Sequence, residues 1–475
     1  EEPPLPDGGG DEQRPVGPLR APPPCFRPPR TRRSCAVAGA GGEPAAHKGG
    51  AALRRAEEEA ISEWFGTLLE DLPYVKERDV LGTRSAALTA AASGVCLTTQ
   101  CSVDRLGRLR AQCLAWAPGA CSAAVLLGRD DDRAAAVATL AEIAAACLAK
   151  GGCLVASLVH ALPPAATGGA AAAYDRLYPA NALRNVAAEE APSDLIFVLD
   201  VDFVPSADLH QALCGCPAGL AAYLTPEGEP ARALVVPAFE VQEEAGQRQQ
   251  GPQRSAEGTR TAMPGSFAEL SKRGNQVVGF HTEHFPKGHR ATDFARWVRL
   301  ASAPGQDRCW SYAVQYEEYF EPYVVLSRSR APRFDERFRG YGLNKCSFLR
   351  HCSALGHRFE VLAEGAHFVA AAAHPRSPSW QHCYGPGADP VEALKLALLW
   401  RIFLRGLPDA EPGLEKGDSG RRPPVEAMRT GGRLQLPPAA ARAAALCRAS
   451  AAVVAAAHGQ PLVGFPQGMD VVTCF

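Results

Sequence analysis

The chain has 475 residues, 46% of them hydrophobic, and a formal net charge of −1. That length allows up to three units of roughly 150 residues, and the near-neutral balance excludes a global electrostatic pull toward nucleic acid or an anionic membrane. Sixteen cysteines are present without a CxxC pair, which disfavours a zinc knuckle and leaves some disulfides in an oxidising lumen as the expectation.

Residues 1–50 are rich in Pro, Gly and Arg, as in PPLPDGGG and APPPCFRPPRTRR. Such a stretch buries too little apolar surface to offset its ordering entropy and reads as a disordered stem. A helical lead-in over 51–93 follows, with Leu53, Ile61, Trp64 and Leu68 on one face. No run of about 20 apolar residues spans a bilayer. The chain begins at Glu1, so a membrane anchor can be missing from this sequence.

From Gly94 strands and helices alternate. GVCLTTQ is a strand, and Ser102 is placed to cap a helix over VDRLGRLRAQCLAWA. CSAAVLLG is a second strand, the Ala-rich run 133–150 a helix, and GCLVASLVH a third strand. YPANALRNVAAEE is a helix and DLIFVLDVD a fourth strand. This alternation predicts a mostly parallel sheet covered on both faces, with ligands beyond the carboxyl ends of its strands. Further on, ALVVPAFEV reads as one strand, AVQYEEYFEPYVVLSRS as one or two, CSFLRHCSAL as a helix and HRFEVLAEGAHFV as a strand. A helix over VEALKLALLWRIFLRGL and an Ala-rich helix over 438–457 form an extension, 383–475, to a main domain over 94–382.

The sharpest local feature is IFVLDVDFVP, residues 196–205. Carboxylates at i and i+2 of an extended chain point the same way. At the tip of a buried strand they would be an unpaired charge cluster unless a cation neutralises them. A hard divalent ion does so and also bridges a diphosphate, as in the Asp-x-Asp logic of nucleotide-sugar transferases. Solvated turn acids are the bland alternative for Asp200 and Asp202. No P-loop is present, which disfavours a P-loop phosphoryl-transfer enzyme.

Other segments carry a resemblance. LTTQCSVDRL (97–106), YPANALRN (178–185), VVPAFE (235–240), PKGHRATDFARW (286–297), FEPYVV (320–325) and FDERFRGYGLNK (334–345) recur in order and spacing. From Val95 to Trp380 the chain resembles glycosyltransferase family 49, a family of dystroglycan-modifying glucuronyltransferases. The resemblance implies a Golgi, type II membrane-anchored, inverting enzyme on a GT-A-type, Rossmann-like mixed α/β sheet. Its donor would be a UDP-sugar, with glucuronic acid first, its cofactor Mn²⁺ or another divalent cation, and its acceptor a glycan or glycoprotein.

On that view Asp200 and Asp202 hold the metal, while Arg184, Asn185, Asp200 and Lys287 belong to the donor site. A surface ion pair is the plain alternative for Arg184, as is a solvated loop position for Lys287. Inversion requires a general base, for which Glu321, Asp335 and Glu336 are the candidates. The last two have Arg333, Arg337 and Arg339 nearby in sequence as structural partners. Tyr341, Asn344 and Lys345 are expected near the acceptor. The family's metal-binding His falls at Ala370 here, leaving His374, or else His367, as the replacement imidazole. That departure keeps a second reading open, a catalytically weakened family member that binds glycans or acts as a scaffold.

Overall fold

The computed structural model describes residues 72–90, 94–162, 177–242, 263–282, 285–302 and 310–372, with isolated positions between 380 and 408. The stem, the amphipathic helix over 51–72 up to Asp71, and the Ala-rich helix near the C-terminus lie outside the described residues.

The strands in chain order are β1 (Lys76–Glu77), β2 (Cys96–Ser102), β3 (Ala120–Leu127), β4 (Cys153–His160), β5 (Leu195–Val198), β6 (Phe203–Pro205), β7 (Arg232–Val236), β8 (Ala238–Val241), β9 (Val277–Gly279), β10 (Ser311–Val314), β11 (Tyr323–Ser327), β12 (Arg358–Leu362) and β13 (Val369–Ala372). Nine of them form one sheet in the order β1-β4-β3-β2-β5-β11-β7-β12-β10, and β6-β13-β8-β9 form a second. Strands β2 to β5 run parallel, and so do β7 and β12. β11 is antiparallel to both β5 and β7, and β1 and β10 are antiparallel edges. The expected mixed, mostly parallel α/β sheet with flanking helices is the fold observed.

Both faces of the sheet are covered, as the apolar runs require. In β5, Leu195 and Phe197 join one core cluster with Trp116, Leu140 and Leu158, while Ile196 and Val198 join another with Trp297, Phe320 and Phe348. Helix α1 (Leu106–Trp116) follows β2, and α2 (Arg133–Leu148) follows β3 and is capped by the Asp132 carboxylate. Helix α3 (Ala180–Glu190) precedes β5, and α4 (Pro286–His289) and α5 (Asn344–Ala354) come later.

Several local expectations are corrected. Ser102 makes no cap bond; a 3-10 turn over Val103–Arg105 intervenes, and the Ser102 hydroxyl pairs with Asp104 instead. ALVVPAFEV is two strands in different sheets, broken at Pro237, whose carbonyl accepts from Val369. Proline cannot donate to a ladder, so the chain changes sheet there. HRFEVLAEGAHFV likewise splits into β12 and β13 around Gly365, at φ 71°. The ten described cysteines are all free thiols, against the expected disulfides. Among the described residues no helix is long and apolar enough to cross a membrane.

Residues on either side of 94–382 pack on it. β1 pairs with β4, and Trp400 stacks on Tyr319 at 5.6 Å while Phe403 meets Phe338 at 5.6 Å.

Candidate active site

β2 connects to β3 on one side and is bonded to β5 on the other. The strand order therefore reverses between β2 and β5, and the crevice at their carboxyl ends is where such sheets bind ligands. The segments leaving these two strands bring Arg105 and Arg108 from one side, and Asp200 and Asp202 from the other.

The aspartates lie past the strand they were expected to end. β5 stops at Val198, and Asp200 to Phe203 make a turn closed by the Phe203 amide on the Asp200 carbonyl at 3.1 Å. Asp readily occupies such positions because its short side chain tolerates turn geometry. Gln112, fully buried on α1, pins this turn by donating to the carbonyls of Asp200 (2.9 Å) and Phe203 (2.8 Å).

The expectation of an unpaired acid cluster is not met. Asp202 accepts from Arg105 on both oxygens, at 2.9 and 2.8 Å, and Oδ1 also accepts from Arg108. Asp200 Oδ1 accepts from Arg184 at 2.8 Å, and Oδ2 from the Tyr323 hydroxyl at 3.0 Å and from Lys345 at 3.2 Å. Burial alone would raise the Asp200 carboxyl, but Lys345 and Arg184 outweigh it and hold the group well below the usual carboxylate range. The Lys345 ammonium also sits 3.9 Å from the centre of the Tyr323 ring, a cation–π contact. Charge balance at the strand tip comes from side chains.

A divalent cation therefore does not fit the residues as they are arranged. All four carboxylate oxygens of Asp200 and Asp202 already accept hydrogen bonds from basic groups or Tyr323. β13 pairs with β6 so that Ala371 lies opposite Phe203 and Ala370 opposite Val204; at Ala370, where the resemblance puts an imidazole, there is a buried methyl. His367 lies before β13, beyond its far end, 3.5 Å from the Ser206 hydroxyl. His374 lies outside the described residues. Among the described residues no group of three or more His, Cys, Asp and Glu could hold a metal.

The three candidate bases separate. Asp335 is engaged by Arg337, at 2.8 Å from Nε and 2.6 Å from Nη2. Glu336 is buried and accepts from Asn185 at 2.8 Å and Arg333 at 3.3 Å. Glu321 is half-buried beside the Asp200 cluster, and its side chain meets the Cys346 thiol at 3.7 Å. Burial pushes the Glu321 carboxyl up, Lys345 opposes this, and Asp200 adds to it. A raised carboxyl in reach of a cleft is the environment of a general base or acid.

The remaining expected residues divide between chemistry and scaffold. Arg184 joins Asp200, but Asn185 on the same helix holds the 334–336 loop through Phe334 and Glu336 and does not face the aspartates. Lys345, expected at the acceptor, pairs with Asp200. Asn344 donates to the Gly340 carbonyl at 3.0 Å and fixes the turn before α5, and Tyr341 is 38% exposed on that turn. Lys287 is half-buried in α4, 5.5 Å from the centre of the Tyr319 ring. The α4 turn touches Glu321 directly, since the Glu321 amide donates to the Gly288 carbonyl at 2.9 Å.

Sequence reading missed Arg105, Arg108, Gln112 and Tyr323. The signal for the first two was Arg at i and i+3 in DRLGR, directly after the first strand of the sheet. It also missed His289, buried and held neutral by desolvation, with its Nε2 unpartnered and Phe280 edge-on at 5.1 Å. Two cavities of about 110 and 190 Å³ lie elsewhere, one behind α3 between Asn185 and Phe348, the other beside Phe267 and Ala366.

Comparison with known proteins adds an independent line. Residues 150–369 match a family model described as glycosyl-transferase for dystroglycan. Over 272 residues the chain is 33% identical to the xylosyl- and glucuronyltransferase LARGE2 of Mus musculus, covering 57% of this chain and 33% of that protein. The human LARGE2 is 34% identical over 275 residues, covering 57% and 32%. A glycosyltransferase-like protein, gnt14 of Dictyostelium discoideum, is 31% identical over 219 residues, covering 45% and 28%. The chain thus spans about a third of the length of these relatives. Among solved structures, GalNAc-T7 with UDP, GalNAc and Mn²⁺ aligns over 66% of this chain and 49% of its own, at 8% identity and a TM-score of 0.32.

Proposed function

We propose that this chain, whose residues 150–369 match a family model described as glycosyl-transferase for dystroglycan, is a member of that family, family 49, and transfers a sugar from a UDP-sugar to a glycan acceptor with inversion. The observation that carries this reading is the convergence of Arg105, Arg108, Arg184 and Lys345 on the Asp200–Asp202 turn at the sheet's switch point, with Glu321 alongside.

In the proposed reaction an acceptor hydroxyl attacks the anomeric carbon while Glu321 takes its proton. The bond from that carbon to the diphosphate oxygen breaks with inversion, and the pair of electrons leaves on UDP. Charge develops on the departing oxygen, and fixed cations beside it stabilise the transition state more than the ground state. Asp200 and Asp202 orient those cations. The expected Mn²⁺ has no open carboxylate pair here, so the transfer is written on side-chain charges.

Glucuronic acid is the proposed sugar, on the family, and Lys287 is the proposed partner for its carboxylate, being a cation on the turn that touches Glu321. Tyr341 is proposed to meet the acceptor. The proposed compartment is the Golgi lumen, again on the family.

The test is a screen of UDP-sugars for UDP release, with and without acceptor glycans and with and without Mn²⁺, since many transferases slowly hydrolyse their donor. Release from one UDP-sugar supports the proposal. Engaged carboxylates and the alanines at 370 and 371 also suit the weakened glycan-binding reading. Glycan binding with no UDP affinity in any buffer would select it instead.

A further inference from the structure

We propose that this site grips the diphosphate of its nucleotide with its own guanidinium and ammonium groups, and needs no divalent cation between Asp200 and Asp202. The inference rests on the UDP-sugar reading above and deepens it.

A metal bound by these aspartates would have to strip basic partners from both of them. Asp202 would lose a guanidinium held on both oxygens, and Asp200 would lose Arg184 or Lys345 from a nearly enclosed pocket, where their side chains are 8% and 10% exposed. Those cations would then sit beside a dication, at a repulsive electrostatic cost that falls off slowly in a poorly solvated site. Among the described residues no third His, Cys, Asp or Glu joins the two aspartates to offset this, and the β13 residue opposite Phe203 is Ala371.

The same arrangement suits a diphosphate. Arg105, Arg108, Arg184 and Lys345 carry four positive charges against the two of Asp200 and Asp202. The surplus is positive and sits at a crevice of the kind that binds nucleotides. Arg105 and Arg108 are 28% and 35% exposed at their side chains, so their guanidinium groups can reach a ligand while the more buried Arg184 and Lys345 stay fixed. A planar guanidinium matches two phosphate oxygens at once and stays charged at any working pH. Asp202 then acts as a positioning residue, holding the two arginines side by side on one carboxylate until the ligand arrives.

Calorimetry of UDP binding to the whole chain tests this, in EDTA and in Mn²⁺. The two dissociation constants are expected to agree within about threefold. Asp202→Asn is expected to keep UDP binding in EDTA, with a dissociation constant that Mn²⁺ again changes by no more than about threefold. The Arg105→Ala, Arg108→Ala double variant is expected to bind about tenfold or more weakly, with an unchanged circular dichroism spectrum. UDP binding that appears only with Mn²⁺ and vanishes in Asp202→Asn would overturn the inference and leave the UDP-sugar reading standing. Absence of UDP binding in both buffers would overturn both.

Discussion

Glu321 carries the clearest conflict between function and stability in the molecule. Its carboxyl is raised by burial, so folding favours the protonated form. Such a group contributes stability that is fully present below its unfolded value and is lost as pH rises through the folded value. Glu321→Gln is therefore expected to raise the melting temperature at neutral pH and to leave it nearly unchanged near pH 4, as read by calorimetry. For activity the sign is opposite. The base must be ionised, so the acid limb of kcat/KM should titrate above the ordinary carboxylate value of 4.5. Asp335→Asn makes the contrast, since Asp335 is engaged by Arg337 and should lose little turnover.

At the scale of elements, the site is an assembly of segment ends, and glycine sets one of the close approaches. A Cβ on Gly288 would lie 2.7 Å from the Phe285 ring and 3.2 Å from Glu321 Cγ. Gly288→Ala is expected to displace α4 from Glu321, lowering kcat well beyond its effect on UDP affinity and costing about 1–3 kcal/mol of stability by overpacking. Denaturant unfolding and steady-state kinetics separate the two effects.

The same scale explains what the sequence could convey. Parallel strands were legible because LIFV and its neighbours are apolar throughout, which only a sheet buried on both faces requires. Asp200 and Asp202 stood out because charge after such a run is costly. Arg105 and Arg108 did not, because they come from a segment far from the aspartates in sequence, and only strand order brings them together; Lys345 stood out for the acceptor and pairs with Asp200 instead. Asn185 was misread because one helical step from Arg184 turns a side chain about 100° away, from the aspartates to the 334–336 loop.

The whole molecule extends beyond residues 150–369, the stretch that matches the family model. Trp400 is 1% exposed, stacked on Tyr319 and edge-on to Phe338 at 6.3 Å. Tyr319 lies two residues before Glu321, so the segment near 400 packs against the stretch that carries Glu321. Trp400→Ala is expected to cost about 3–5 kcal/mol of stability, measured by denaturant unfolding, and a chain ending at residue 382 should be less stable than the whole.

The central claim is transfer from a UDP-sugar with Glu321 as base. Its most direct test is UDP release by the wild type and Glu321→Gln on the UDP-sugar the wild type consumes, with UDP affinity measured on both. The account predicts equal affinity and a rate lowered about 10²-fold or more in the variant. A variant that turns over at the wild-type rate, or a wild type that consumes no UDP-sugar, would contradict it.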